Sequence, residues 1–110
     1  MRTHQQIDQR SLRLARAVVE KLERGDPRTG IDLARENNRR WREMNPSRLH
    51  DAWATILSGE WTGIRAVLLD ESERGAQLRQ NNPFCGVLTP PERWAIYREF
   101  EMATEACVRE

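Results

Sequence analysis

Lysine is nearly absent from this chain: of its 18 basic residues only Lys21 is Lys, and the rest are Arg. Cysteine is scarce too, with Cys85 and Cys107 alone, so no disulfide framework can be drawn. No Cys-x-x-Cys and no His-x-x-x-His occurs, and the two histidines, His4 and His50, lie far apart. Scattered donors of this kind give no zinc signature, so no metal is expected. No apolar run approaches the ~18 residues that a membrane span needs. The opening "MRTHQQIDQR" is polar and lacks the apolar core of a signal peptide, which predicts a soluble, cytoplasmic protein. No Gly-rich phosphate loop is present, and no alternation long enough for a strand. A net charge of +1 argues against a strongly electrostatic nucleic-acid binder.

What is present is tryptophan and helical periodicity. The 110 residues fit one domain, with residues 1–6 expected to be loose and 7–110 to form a single helical domain. At 38% apolar and 32% charged the chain is polar for a globule, but not at a disordered extreme. Four Trp residues predict a packed core that takes all four, with Trp41 or Trp61 the first candidates for exposure. Charge is uneven: residues 1–55 hold 12 basic and 8 acidic side chains, and residues 56–110 hold 6 and 9.

Five to six helices are predicted, in an all-α, small single-domain bundle. The first runs from about Ile7 to Arg24, with Leu12, Ala15, Val18, Val19 and Leu22 on one face. Gly25-Asp26-Pro27 ends it, and Thr29 is expected to cap the second. The second helix has an inner stripe of Leu33, Ala34, Asn37, Trp41 and Met44, and stops before Pro46. A third starts at Pro46 or Ser47 and ends at Leu57; a fourth covers Trp61 to Leu69. Asp70 and Glu73 have capping-box spacing for a short fifth helix with a thin apolar face, Ala76 and Leu78. Thr89-Pro90-Pro91-Glu92 launches the last, with Trp94, Tyr97, Phe100, Ala103 and Cys107 at helical spacing and Ile96 beside them.

Three stretches bear on function. In "NNPFCGVLTPPERW", Phe84, Val87 and Leu88 read as an apolar plug and Gly86 as a positive-φ or close-approach position. Cys85 has apolar neighbours, which raise a thiol pKa, so it reads as a small buried core residue and not as a nucleophile. His50 reads as a surface residue. No catalytic residue, metal ligand or cofactor site is assigned. In "RENNRRWREMNPSR", Arg35, Arg39, Arg40 and Arg42 surround Trp41, residue types favoured at protein interfaces. Helix spacing pairs Glu36 with Arg40 and Arg39 with Glu43.

The run "DESERGAQLRQNNPFCGVLTPPERWAIYREF" resembles the C-terminal part of a family of small bacterial helical proteins, and "LARENNRRWREMN" resembles their middle helix. Ser-Glu-Arg-Gly, Leu-Arg-Gln, Pro-Phe, Gly-Val-Leu and Glu-Arg-Trp occur in order. The resemblance implies a small non-enzymatic partner encoded beside toxin-type genes, including minimal nucleotidyltransferases. It carries over no catalytic residue. Together these readings predict an antitoxin-like subunit that binds and restrains a partner protein through Arg35, Arg39, Arg40, Trp41 and Arg42. The alternative is a small nucleic-acid-binding regulator that uses the same helix.

Overall fold

The computed structural model of the chain describes residues 4–109, with side chains described for residues 7–101. Six helices follow one another: α1 (His4–Arg24), α2 (Pro27–Met44), α3 (Arg48–Leu57), α4 (Trp61–Leu68), α5 (Glu73–Arg79) and α6 (Pro90–Arg109). The described residues contain no strand, so the all-α class stands. α1 begins at His4, inside the segment read as loose; residues 1–3 lie outside the described residues. Among the described residues no helix is long and apolar enough to cross a membrane.

Local chemistry sets the helix starts. Asp26, not Thr29, caps α2: its carboxylate accepts the Arg28 N–H at 3.0 Å, and Pro27 occupies the first turn without wasting a donor. Thr29 already lies inside the helix, where its hydroxyl donates to the Asp26 carbonyl at 2.8 Å. Ser47 caps α3 through the His50 N–H. For α5 the cap is Ser72, which accepts from Gly75 N–H; Asp70 instead accepts from Ser72 N–H and shapes the turn before it. α6 has the expected capping box. Glu92 accepts from Thr89 N–H at 2.7 Å, and the Thr89 hydroxyl accepts from Glu92 N–H at 3.4 Å.

α1 is the central element, in contact with α2, α4, α5 and α6, while α2 pairs most extensively with α3. The core runs from Ala15, Val18, Val19 and Leu22 of α1 to Ile31 and Ala34 of α2, then through Trp53, Leu57, Ile64 and Leu68. Phe84 and Leu88 close one end of it, as the apolar-plug reading requires. Trp53 is fully buried, and its indole N–H donates to the Leu78 carbonyl at 2.8 Å. Gly75 has a steric reason: a β-carbon there would collide with the Asp70 carbonyl.

Several expected stripes move. On α2, Leu33 and Met44 are exposed, Met44 by 83%, and the buried face is Gly30, Ile31, Ala34, Asn37 and Asn38. The inner face is thus partly polar, because it must supply hydrogen bonds as well as packing. On α6, Trp94 is 59% exposed, whereas Ile96 is buried and Phe100 packs beside it. Among the described residues α6 packs chiefly on α1, so only a narrow i, i+4 stripe is covered. The exposed tryptophan is therefore Trp94, and Trp41 and Trp61 are half-buried. The side chains of Ala103 and Cys107 lie outside the described residues.

Candidate functional site

The arginines of α2 divide between two sides of the helix. Arg35, Arg39 and Arg42 line an open depression of ≈ 810 Å³ between α2 and α3, with Ala54 and Leu57 as apolar lining. Arg40 and Trp41 lie outside it; Trp41 lines a separate depression with Met44, His50 and Cys85. The five residues grouped by sequence therefore do not form one surface.

Each of these arginines already has a partner. Arg35 donates from Nε and Nη2 to the Leu57 carbonyl, at 2.9 and 2.6 Å, and so ties α2 to the end of α3. Arg39 is clamped between Glu36 at 2.6 Å and Glu43 at 2.8 Å. Its hydrogen bonds to Glu36 raise the guanidinium pKa and lower that of the Glu36 carboxyl. Arg42 bonds Asp51 across to α3 at 3.0 Å. Arg40 donates to the Asn37 side-chain oxygen at 2.7 Å, so the expected Glu36–Arg40 pair is replaced by Glu36–Arg39. The Arg39–Glu43 pair is present as predicted.

Buried polar groups act as fasteners. Asn37 donates to the carbonyls of Pro83 and Cys85, at 2.9 and 3.1 Å, and Asn38 donates to the His50 carbonyl at 2.9 Å. His50 is buried, not superficial: Nδ1 meets the Asn45 carbonyl at 2.9 Å, and the ring packs beside Trp41 at 5.9 Å. It joins the end of α2 to the start of α3. Cys85 is exposed, not buried. In that turn Phe84 takes the inward position, and Gly86, at φ +96°, reverses the chain behind it. Among the described residues no three His, Cys, Asp or Glu side chains gather as metal ligands.

A second concavity has no counterpart in the sequence reading. It measures ≈ 300 Å³ and lies between α1, α5, the turn at 80–89 and α6. Leu14, Val18, Phe84 and Leu88 line its apolar part, and Arg10, Arg79 and Arg93 bring three guanidinium groups to it. Arg10 stacks over the Tyr97 ring at 5.1 Å. Arg79 is buried, and its Nη1 donates to the Leu68 and Asp70 carbonyls. Desolvation lowers the Arg79 pKa, while Asp70, Asp8 and Glu71 act in the opposite direction. The Leu-Arg-Gln, Pro-Phe, Gly-Val-Leu and Glu-Arg-Trp motifs each place a residue here, Arg79, Phe84, Leu88 and Arg93, but nothing in the sequence showed that they meet. Nearby, Lys21 bonds Glu92 at 2.6 Å, and with the Thr89 N–H it holds the Glu92 carboxyl down at about 2.

Compared with known proteins, the chain matches no family, no curated protein and no solved structure.

Proposed function

We propose that this protein is a non-enzymatic interaction subunit, antitoxin-like, that binds and restrains a partner protein through the α2–α3 face. Charge compensation carries the reading. Arg39 sits between two glutamates and Arg42 against Asp51, so the face presents alternating charge and not free cations. A phosphate-binding footprint draws its affinity from cations that displace counterions, and a compensated face has few to offer. A protein surface of mixed charge is the natural complement. The resemblance to small partners of toxin-type enzymes supplies the partner class.

The mechanism follows from how weakly exposed ion pairs are held in water. A partner's acidic side chains exchange with Asp51 or Glu43 for Arg42 and Arg39, and closure of the interface removes the water that screened them. Ala54 adds apolar area beneath. Arg35 anchors the face from inside, since its guanidinium is spent on the Leu57 carbonyl. If the partner's acidic groups hold its metal or substrate, occupying them stops its chemistry.

Affinity capture from the native host lysate, with and without nuclease, identifies the partner. The double charge reversal R39E/R42E should then weaken the complex by more than about tenfold and leave the helical content unchanged. Unchanged affinity overturns the surface assignment. A complex that disappears with nuclease, or that weakens steeply with salt, overturns the protein-partner reading in favour of nucleic acid.

A further inference from the structure

We infer that the concavity between α1, α5, the 80–89 turn and α6 is a binding site for a small organic acid with an apolar body, held by its carboxylate. This site shares no lining residue with the α2–α3 depression, so it stands apart from the partner-binding reading.

Three observations converge. The first is charge. Arg10, Arg79 and Arg93 all line the cavity, against the single carboxylate of Asp8. None of the three takes part in an ion pair among the described residues, although seven other basic side chains of this molecule do. The second is an unpartnered donor. Arg79 is only 6% exposed, both of its hydrogen bonds leave from Nη1, and Nε is buried without a partner. A buried N–H with nothing to donate to is costly, and a charged guanidinium more so. A carboxylate is the group that best complements a guanidinium, through charge-assisted N–H···O bonds. The third is the apolar lining of Leu14, Val18, Phe84 and Leu88, in a volume of ≈ 300 Å³, the lower end of the range for small-ligand sites.

The lining chooses among anions. Inorganic phosphate gains nothing from four aliphatic and aromatic walls and must shed a strong hydration shell. An aryl or short-alkyl carboxylate places its charge at the arginines and its body on the apolar side. Tyr97 is positioned by Arg10 above it and by Trp94 edge-on at 5.9 Å, so it adds an aromatic wall at the mouth.

The test is a ¹H–¹⁵N NMR titration of the full chain with 4-phenylbutyrate, run beside 4-phenylbutan-1-ol and inorganic phosphate. The acid should shift the amides of Leu14, Phe84 and Leu88 and the Arg79 Nε–H resonance. The neutral alcohol should bind about tenfold more weakly, because it cannot use the guanidinium groups. Phosphate should leave these resonances unmoved. Arg10→Gln and Arg93→Gln remove cations that make no ion pair, so the fold should persist; each should weaken the acid about fivefold and leave the alcohol unchanged. The proposal is overturned if millimolar acid moves none of these resonances, or if acid and alcohol bind alike. It is also overturned if phosphate reproduces the shifts, or if neither substitution narrows the gap between acid and alcohol.

Discussion

The four arginines from Arg35 to Arg42 of α2 and those around the α1–α6 cavity are the same side chain in opposite circumstances. On α2 they are dense in sequence and internally spent: on Glu36 and Glu43, on Asp51, on Asn37, and on the Leu57 carbonyl. Around the cavity they come from three separate elements, and none makes an ion pair among the described residues. A basic cluster in sequence is therefore a weak guide to free positive charge. Helical spacing that gathers arginines also gathers the acids between them, and i, i+3 and i, i+4 geometry lets each neutralise the other. At the cavity, tertiary packing brings three arginines together with one lining carboxylate, Asp8, and no such local pairing is built in.

The largest effect should come from removing the cavity's structural wall. Phe84 is 1% exposed and packs edge-on to Trp53 with ring centroids at 6.4 Å. Phe84→Ala should cost about 3–5 kcal/mol, read as a lower midpoint in urea with the slope little changed. It should also abolish ligand shifts at the cavity while any partner complex on α2–α3 survives in the folded fraction. A substitution that silences both surfaces equally would mean that the two regions are not separate.

A smaller effect divides α2 itself. Arg35→Ala strips two hydrogen bonds from the Leu57 carbonyl and should lower stability by about 1 kcal/mol. Arg39→Ala removes only solvent-exposed pairing, and thermal unfolding should not register it. Equal losses would show that the Arg39 clamp is structural, and would weaken its assignment to partner binding.

The smallest effect is seen in acid. Glu92 ties α6 to α1 through Lys21, and its carboxyl is held down at about 2 from an ordinary 4.5. A carboxyl whose pKa falls on folding adds stability above its ordinary value and loses it as the pH drops through its folded value. That contribution should be present above pH 4.5 and fade as the pH falls towards about 2. Thermal melts of Glu92→Gln and the parent chain should therefore converge in that window. A constant gap would show that the capping box, and not the charge, is what Glu92 supplies.

Much of the fold was legible residue by residue. The α6 capping box, the Asn45-Pro46 stop and the Gly86 conformation rest on interactions within a few residues of chain, and the Phe84 and Leu88 plug on an apolar run where a loop is otherwise polar. The misplacements share a cause. Trp94 and Met44 lie at helical spacing yet face outward, because periodicity gives the faces of a helix but not which face meets a neighbour. His50 is buried because two helix ends meet on it, and Cys85 is exposed because the turn spends its inward position on Phe84.

By itself, then, the sequence determined the order of the helices, their ends to within about three residues, and that the class is all-α, since capping, proline stops and glycine turns act over three or four residues. The tertiary structure alone decided which arginines are compensated, which tryptophan meets solvent, and that Arg10, Arg79 and Arg93 converge on one apolar cavity. Those outcomes depend on the distance between residues far apart in the chain, and that distance exists only once the helices have packed.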